Sequence, residues 1–350
     1  MEGRLISAED VNDADVLIIR TATKVDRSLL ENSNVRFVGT TSIGTDHLDT
    51  DWLDRQGIGW SNAPGCNADS AAQYTLAMIW LACQRLGRPL AEQRVGIVGR
   101  GNVGFRLERL LNAIGVETLA NDPPLADRGE TGLVSLDEAL ECNIVSLHVP
   151  LETQGPYPTL NLVGAPQMAR MPDNSLLVNA ARGDVISGEA LLNELLNRRL
   201  HAALDVWPGE PFISADLLAR IVVATPHVAG YSEDGKRNGT RMVYDAFCQW
   251  AGIEPGQVTS TGLDNPELAL APGEDPITAA LEAACFVARH DEAMASLVPL
   301  SIDQRAAEFD RLRREYPSRR DFQAWTVRCA DASQSGILNK LGIATEQMSD

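Results

Sequence analysis

Three polar residues of complementary chemistry follow three separate apolar runs of the sequence. Arg182 comes directly after LLVNAA, Glu210 lies just beyond LHAALDV, and His227 follows IVVATP. A histidine titrates near neutrality, so it can take a proton from a hydroxyl group and return it. A carboxylate can orient and charge that imidazole, and an arginine can bind a substrate carboxylate through two parallel hydrogen bonds. The set predicts proton transfer on a substrate that carries a carboxylate.

A glycine-rich segment supplies a second chemical signal. It forms a GxGxxG pattern directly after the apolar run 94–98. The residues of this turn are Gly99, Gly101, Asn102, Val103 and Gly104. The glycines permit a tight turn and close approach of a pyrophosphate, and the first amides of the next helix bind phosphates. Asp122 ends the following strand-like run, where a carboxylate binds the adenosine ribose hydroxyls and repels a 2′-phosphate. The pattern therefore predicts NAD as the cofactor.

Each of these residues also has a purely structural interpretation. An arginine before glycine can be a solvated residue at a strand end, and a glutamate between glycine and proline can be a loop charge. A histidine after proline can be half-buried without a function, and Asp122 can serve the turn before Pro123. Their joint occurrence behind a dinucleotide pattern favours the functional interpretation. Asp205, which ends the strand before Glu210, can in addition reach the nicotinamide carboxamide.

Alternating apolar and helical segments must position these residues. Strand-like runs occupy residues 15–20, 35–41, 94–98, 116–121, 143–149, 175–181, 200–206 and 221–225. Helix-like segments occupy residues 49–56, 68–86, 234–250, 279–290 and 302–316, and residues 254–274 are predicted to be a linker. Nearly continuous apolar strands that alternate with crossovers predict a parallel, doubly wound α/β sheet. In such a sheet ligands bind beyond the carboxyl ends of the strands, where the three polar residues lie.

Composition excludes several classes of function. The chain has 350 residues, enough for two or three domains, and a formal net charge of -18. Such a surface repels nucleic acid and acidic membranes, and no apolar run reaches the roughly 18 residues of a membrane span. The six cysteines are scattered without a CxxC pair and the five histidines lack metal-ligand spacing. We therefore expect reduced thiols in the cytoplasm and no metal site.

These features together resemble the D-isomer-specific 2-hydroxyacid dehydrogenase family, whose members share the glycine pattern and the order Arg, Glu, His. Four segments more narrowly resemble the 4-phosphoerythronate dehydrogenases of that family. They are NAPGCNA at 62–68, DPPLADRG at 122–129, GPYPTL at 155–160 and TPHVAGYSEDGKRNGT at 225–240. Residues 307–342 are similar to the segment through which those enzymes dimerise. The similarity covers nearly the whole chain.

The resemblance implies NAD-dependent oxidation of 4-phospho-D-erythronate to 2-oxo-3-hydroxy-4-phosphobutanoate in pyridoxal 5′-phosphate (vitamin B6) biosynthesis. It implies that Arg182 and Glu210 are active-site residues and that His227 is the proton donor. The further residues that it assigns to NAD are Asp122, Val149, Ala180, Ala181, Asp205 and Gly230. The residues that it assigns to the substrate are Thr21, Ser42 and Tyr231. Val149 carries no hydroxyl group, so only its backbone can bond the cofactor.

The expected architecture has three domains. Residues 1–67, with a returning helix at 232–252, form a flavodoxin-like substrate domain, and residues 68–231 form a Rossmann-type NAD domain. Residues 253–350 form a small α+β domain through which two copies associate as a homodimer. Family members carry about two dozen further residues before the equivalent of Leu5. We expect either that the substrate domain lacks an element, in which case a lost strand exposes a backbone edge, or that the start codon is misassigned.

Three points stay open at the level of sequence. Arg20 and Lys24 flank Thr21 and can either neutralise the substrate phosphate or form a solvated charge pair. The substrate can be another hydroxyacid, such as glycerate or 3-phosphoglycerate. The chain can also be an NAD-sensing binding protein that retains the fold without catalysis.

Overall fold

The computed structural model describes residues 6–20, 22–256 and 262–348. The strands of these ranges are β1 (Val16–Ile19), β2 (Phe37–Thr40), β3 (Gly59–Ser61), β4 (Arg94–Val98), β5 (Glu117–Asn121), β6 (Ile144–Leu147), β7 (Leu176–Asn179), β8 (His201–Leu204), β9 (Val223–Ala224), β10 (Glu267–Ala269), β11 (Thr326–Cys329) and β12 (Ala344–Gln347). Every strand predicted from an apolar run is present, each shortened by one or more residues except β4. The short strands β3, β10, β11 and β12 were not predicted, and β10 lies in the segment expected to be a linker.

The helices of the same ranges are α1 (Ala8–Val11), α2 (Arg27–Leu30), α3 (Thr50–Gln56), α4 (Ala68–Arg85), α5 (Asn102–Ala113), α6 (Pro123–Ala126), α7 (Leu136–Leu140), α8 (Ala165–Met168), α9 (Gly188–Leu196), α10 (Ala215–Leu218), α11 (Glu233–Ala251), α12 (Pro276–Cys285), α13 (Val287–Ala295), α14 (Ile302–Arg314) and α15 (Ala332–Lys340). Of the helices described, none is both long enough and apolar enough to cross a membrane. The single helix predicted over 279–290 is wrong, because Phe286 adopts a left-handed φ of 56° and separates α12 from α13.

The chain divides into two compact units. Unit 1 comprises Met1–Ala68 and Ser232–Asp264, and unit 2 comprises Asp69–Tyr231 and Asn265–Asp350. The division into three domains at 1–67 with 232–252, 68–231 and 253–350 stays a prediction.

Unit 1 is built on a parallel sheet of three strands in the order β1-β2-β3. All four residues of β2 are buried, as a central strand covered on both faces requires. The helix α11 packs on β2 so closely that a Cβ added to Gly39 would lie 2.2 Å from Val243 Cγ1. The rings of Phe247 and Trp250 on the same helix contact Phe37 of β2. A segment distant in sequence thus completes the core of unit 1.

The sheet of unit 2 has six parallel strands in the order β5-β4-β6-β7-β8-β9. The predicted Rossmann-type doubly wound sheet is therefore confirmed. The strand order reverses beside β4, whose neighbours are β5 on one side and β6 on the other. Crossovers leave in opposite directions at that point and open a crevice beyond the carboxyl ends of the strands. Alternate residues of β4 enter two separate cores, with Ile97 in one and Val98 in the other.

The last part of unit 2 combines helices with a second parallel sheet, in the order β10-β11-β12. Two buried arginines connect this part to the six-stranded sheet. Arg305 on α14 donates to the carbonyl oxygen of Ile213 at 2.7 Å and of Leu300 at 2.6 Å. Arg319 donates to the carbonyl oxygens of Ser70 at 3.0 Å and Ala229 at 2.8 Å. Ala229 lies two residues after His227, so the C-terminal residues hold the segment that carries a predicted site residue.

Replacement of Arg319 by leucine is expected to destabilise the protein strongly. Arg319 is only 2% exposed, and the charge of Asp321 acts on it inside the core. Removal of the cation takes a positive charge out of the core near Asp321 and leaves two buried carbonyl oxygens without the donor they have in Arg319, which costs about 3–5 kcal/mol. The measurement is the denaturant midpoint of Arg319→Leu. The exposed neighbour Arg314→Leu provides the control, and equal midpoints for the two variants contradict the role of Arg319.

Candidate active site

The chemistry-bearing residues of unit 2 follow the carboxyl ends of its strands. Gly99 comes after β4 and Asp122 after β5. Arg182, Glu210 and His227 come after β7, β8 and β9. Since all six strands are parallel, these ends lie along one edge of the sheet. The structure thus brings together at one edge the glycine turn and the three polar residues that the sequence singled out.

The turn after β4 has the shape that a dinucleotide phosphate requires. Gly99 adopts a φ of 93°, and a Cβ there would lie 2.8 Å from the backbone of His148. A Cβ on Gly104 would lie 2.0 Å from the carbonyl oxygen of Gly99, so only glycine allows α5 to approach the turn. A Cβ on Gly101 would meet nothing within 4 Å, and no side chain caps the start of α5. The open space and the uncapped amides of Asn102 and Val103 fit a pyrophosphate.

Asp122 is held by two backbone amides at the end of β5. Its Oδ2 accepts a hydrogen bond from Arg100 N at 2.8 Å, and its Oδ1 accepts one from Leu125 N at 3.0 Å. An ionised carboxylate has further lone pairs beyond these two bonds, which can accept from the two hydroxyls of a ribose. The location beside the glycine turn fits the adenosine end of NAD.

His227 and Glu210 form a hydrogen-bonded pair. The His227 Nδ1 and Glu210 Oε1 atoms lie 2.5 Å apart, and Glu210 Oε2 accepts a hydrogen bond from Trp207 N at 3.0 Å. A carboxylate can only accept, so the proton of this pair belongs to Nδ1 and the neutral ring has its lone pair at Nε2. Within residues 6–20, 22–256 and 262–348, no atom hydrogen-bonds to Nε2. The side chains are 27% and 24% exposed, so Nε2 is free to exchange a proton with a bound molecule.

The environment keeps Glu210 ionised. Burial raises the pKa of the Glu210 carboxyl, but the hydrogen bond and charge of His227, the amide of Trp207 and the charge of Arg313 outweigh burial and hold this pKa below its usual value. The carboxylate therefore persists as pH falls into the ordinary range of a glutamate, about 4.3. A permanent negative charge beside Nδ1 favours the imidazolium that forms when Nε2 takes a proton.

A buried carboxylate positions the segment that carries His227. His227 adopts a left-handed φ of 57°, a conformation that a residue with a side chain keeps only when its surroundings impose it. Its amide donates to the carbonyl oxygen of Asp205 at 2.7 Å. The Asp205 carboxylate accepts from Thr225 Oγ1 at 2.7 Å and from the amides of Val228 and Ala229 at 2.9 and 3.0 Å. The contact of Asp205 with nicotinamide stays a prediction; the positioning role was not anticipated from sequence.

Arg182 is brought beside the Glu210 loop by a close backbone contact. A Cβ on the adjacent Gly183 would lie 2.0 Å from the carbonyl oxygen of Trp207, so glycine is required where the two loops meet. Arg182 Nη1 donates to the carbonyl oxygen of Ala181 at 2.8 Å. No carboxylate in the described part of the chain forms an ion pair with Arg182. Its remaining N–H groups are available to a substrate carboxylate.

The other predicted residues lie in both units. Val149, beyond β6, lies against the turn, with its Cγ1 atom 2.8 Å from the Cβ position of Gly99. Ala180 and Ala181 lie beyond β7, and the amide of Ala181 donates to Asn179 Oδ1. Gly230 and Tyr231 follow the His227 segment in unit 2.

The remaining substrate predictions fall on unit 1. Ser42 lies there, with its Oγ donating to the carbonyl oxygen of Gly44 at 3.2 Å. Thr21 lies outside the described residues. Lys24 is 79% exposed and pairs with Asp26 at 3.0 Å, which favours its interpretation as a solvated charge. No cluster of three or more potential metal ligands occurs among the residues that the structure describes.

Comparison with known proteins gives the family. Residues 67–229 match the NAD binding domain of the D-isomer specific 2-hydroxyacid dehydrogenases, and residues 281–342 match a domain of unknown function. The chain is 42% identical over 347 residues to the erythronate-4-phosphate dehydrogenase of Marinobacter nauticus, covering 96% of this chain and 90% of the relative. It is 41% identical to the enzyme of that name from Serratia proteamaculans, covering 98% and 93%. The chain belongs to the erythronate-4-phosphate dehydrogenase family. The resemblance inferred from the sequence motifs and the expectation of an NAD-dependent oxidoreductase are therefore confirmed.

Solved structures share the fold. The TT0316 protein from Thermus thermophilus matches with a TM-score of 0.62 at 24% identity, covering 71% of this chain and 86% of that one. The D-lactate dehydrogenase of Aquifex aeolicus, complexed with NAD and lactic acid, matches with a TM-score of 0.58 at 24% identity, covering 71% and 86%. At these identities the likeness shows the fold alone.

The His227–Glu210 pair is expected to act as a unit. Glu210→Gln keeps an oxygen acceptor beside Nδ1 but removes the charge that stabilises the imidazolium, so we expect kcat to fall by roughly 10²–10⁴-fold. His227→Ala should lose at least as much, and the double variant should be no slower than His227→Ala. Steady-state kinetics of the three variants measure this. The control is Glu194→Gln, which removes the ion pair between Glu194 of α9 and Arg199. If the losses of the two single variants multiply in the double variant, His227 and Glu210 do not act as a unit.

Asp122 is expected to set the preference for NAD. Asp122→Ser removes the charge that binds the ribose hydroxyls and repels a 2′-phosphate, so NADH affinity should fall roughly tenfold or more while NADPH affinity rises. Fluorescence titration with both reduced cofactors gives the two dissociation constants. The exposed Asp137→Ser on α7 should leave both constants unchanged. An unaltered ratio in the Asp122 variant rules out the ribose role.

Proposed function

We propose that this chain oxidises the C2 hydroxyl of 4-phospho-D-erythronate to the keto group of 2-oxo-3-hydroxy-4-phosphobutanoate with NAD. The observation that carries the proposal is the His227–Glu210 pair at 2.5 Å, located at the same sheet edge as a phosphate-binding glycine turn. The relatives named erythronate-4-phosphate dehydrogenase, 41–42% identical over nearly the whole chain, support the choice of substrate. The same reaction serves pyridoxal 5′-phosphate (vitamin B6) biosynthesis.

His227 is the proton carrier of the proposed reaction. The glycine turn would hold NAD, which would supply the acceptor for the hydride that leaves C2. The hydroxyl proton passes to Nε2 of His227, the ring nitrogen to which no atom of the described residues forms a hydrogen bond. The positive charge that the ring gains is stabilised by Glu210 through Nδ1. The substrate thus loses two electrons and two hydrogens, one as hydride and one as a proton.

Arg182 holds the substrate in register with His227. Its guanidinium has N–H groups without carboxylate partners in the described residues, and a bidentate pair with the substrate carboxylate fixes C1. The close contact of Gly183 with Trp207 keeps the arginine beside the loop that carries Glu210. A carboxylate fixed on one side of C2 and a base on the other orient the hydroxyl for proton transfer.

The cofactor assignments follow the same geometry. We assign the pyrophosphate to the glycine turn, the adenosine ribose to Asp122 and the neighbourhood of the nicotinamide to the loops beyond β6, β7 and β9. The residues proposed at NAD are Gly99, Gly101, Asn102, Val103, Gly104, Asp122, Val149, Ala180, Ala181, Asp205 and Gly230. In addition to Arg182, the residues proposed at the substrate are Thr21, Ser42 and Tyr231.

The assembly and location are also part of the proposal. The six cysteines are buried and free, which fits the reducing cytoplasm. We assign homodimer formation to the C-terminal residues 253–350, on the resemblance of 307–342 to the dimerisation segment of the family. We also retain the three-domain organisation with a substrate domain at 1–67 and 232–252.

The test is turnover by the purified NAD-loaded protein with a 2-oxoacid as electron acceptor. We expect kcat/KM for 4-phospho-D-erythronate to exceed that for D-glycerate by at least about 100-fold, since D-glycerate lacks the phosphate and its charge contact. We expect kcat/KM to exceed that for 3-phosphoglycerate by roughly tenfold, since that substrate keeps both charges but holds its phosphate one carbon nearer to C2. His227→Ala provides the inactive control. A preference for either rival substrate refutes the assignment, and NAD binding without turnover of any hydroxyacid identifies a binding protein.

A further inference from the structure

Arg313 is a cation beside the candidate site that the assignments above do not use. It lies in the last turn of α14, with its Nη2 atom 3.4 Å from the hydroxyl oxygen of Tyr231. Its guanidinium carbon lies 5.7 Å from the ring centroid of the buried Phe309. The same helix is fixed to the six-stranded sheet by the buried Arg305. The position of Arg313 is therefore set by the packing of α14 and by the contacts with Tyr231 and Phe309, none of which is an anion.

Arg313 lacks an anionic partner in the folded chain. Its Nε atom is buried and has no hydrogen-bond partner, and no carboxylate of the described residues lies within ion-pair distance of the guanidinium. Arg311 on the same helix shows the contrast, because it pairs with Glu308 at 2.7 Å and Glu315 at 2.6 Å. A partly buried guanidinium with an unsatisfied N–H is costly unless an anion binds it.

The positive charge of Arg313 acts on the carboxylate of Glu210 in the candidate site. It contributes to the lowered pKa of the Glu210 carboxyl, so the guanidinium lies within electrostatic range of the His227–Glu210 pair. Tyr231 connects the two regions, since its amide donates to the carbonyl oxygen of Val228 at 2.8 Å, one residue after His227. The Tyr231 hydroxyl oxygen accepts from Arg313, which leaves its own O–H group to donate to a ligand.

The proposed substrate presents two anions to a site that has one assigned cation. The carboxylate at C1 adjoins the reacting C2 and is assigned to Arg182. The phosphate at C4 is the farther and more highly charged group, and it needs a second cation with several N–H donors. Lys24 is occupied by Asp26 on the surface of unit 1. Arg313 meets the needs of the phosphate, because it has a positive charge, N–H groups without an anionic partner in the described residues, and the Tyr231 hydroxyl beside it.

We propose that Arg313, with the hydroxyl of Tyr231, binds the phosphate group of the substrate and so determines the specificity for a phosphorylated hydroxyacid. This inference rests on the proposed function, because it concerns the phosphate of that substrate. It gives the C-terminal residues 281–342, which match a domain of unknown function, a direct contact with the substrate in addition to a role in assembly. Arg313 does not take part in proton or hydride transfer.

The experiment measures binding and turnover separately. The NADH-loaded protein cannot oxidise a hydroxyacid, so isothermal titration gives dissociation constants for 4-phospho-D-erythronate and for D-erythronate, which lacks only the phosphate. The variants are Arg313→Ala, Arg313→Lys and the exposed neighbour Arg314→Ala. We expect Arg313→Ala to reduce the preference for the phosphorylated ligand by roughly 30- to 300-fold while binding of D-erythronate stays within about twofold. Arg313→Lys should lose less, since it keeps the charge without the forked geometry, and Arg314→Ala should match the wild type.

Circular dichroism and the thermal midpoint establish that the variants are folded. An unchanged preference in Arg313→Ala, or an equal loss of affinity for both ligands, overturns the proposal. Wild-type turnover of 4-phospho-D-erythronate with an unchanged preference in the variant refutes the phosphate role and leaves the proposed function intact. A preference that depends on Arg313, in a protein that binds but does not oxidise the ligand, supports the phosphate role and refutes the proposed function.

Discussion

The buried carboxylate of Asp205 is the interaction on which the rest of the candidate site depends. Its oxygens accept from Thr225 Oγ1 and from the amides of Val228 and Ala229, while its carbonyl oxygen accepts from the amide of His227. A carboxylate suits this position because its two oxygens can accept from several donors at once. The four bonds join the end of β8 to the segment after β9 and maintain the left-handed backbone at His227. The imidazole can meet Glu210 only because that segment is fixed.

The core of the fold was predictable because buried parallel strands leave a simple trace in sequence. β6 lies within the predicted run 143–149, and β7 lies within 175–181, since strands covered on both faces form nearly continuous apolar runs. The strands β3, β10, β11 and β12 were not predicted, because three or four residues are too few to show a period. The break between α12 and α13 occurs at Phe286. Because no glycine or proline marks this position, the local sequence favoured one continuous helix.

The reactive residues of the site were predictable from type and spacing, but their supporting contacts were not. Gly183 and Trp207 meet through a backbone approach that no short motif encodes. Arg313 and Tyr231 are separated by 82 positions. The segment RLRREY at 311–316 is so rich in charged residues that its sequence indicates solvent exposure, although Arg313 is partly buried. A residue whose role depends on packing between distant segments leaves no local periodicity. Asp205 was noticeable in the sequence as an acidic residue directly after an apolar strand. That feature is as compatible with a ligand contact as with the positioning of a neighbouring segment.

The hydrogen bond from Arg319 to the carbonyl oxygen of Ala229 joins residues 90 positions apart. Ribosomes make proteins from the N-terminus, and N-terminal regions fold first during synthesis. The six-stranded sheet is complete in sequence at β9, well before Arg305 and Arg319 have been added. A nascent chain can therefore possess its glycine turn and the Asp205 contacts while Ala229 still lacks its hydrogen bond from Arg319. The order of synthesis therefore places this contact after the whole of the six-stranded sheet, at least 90 residues later than the carbonyl group that accepts it.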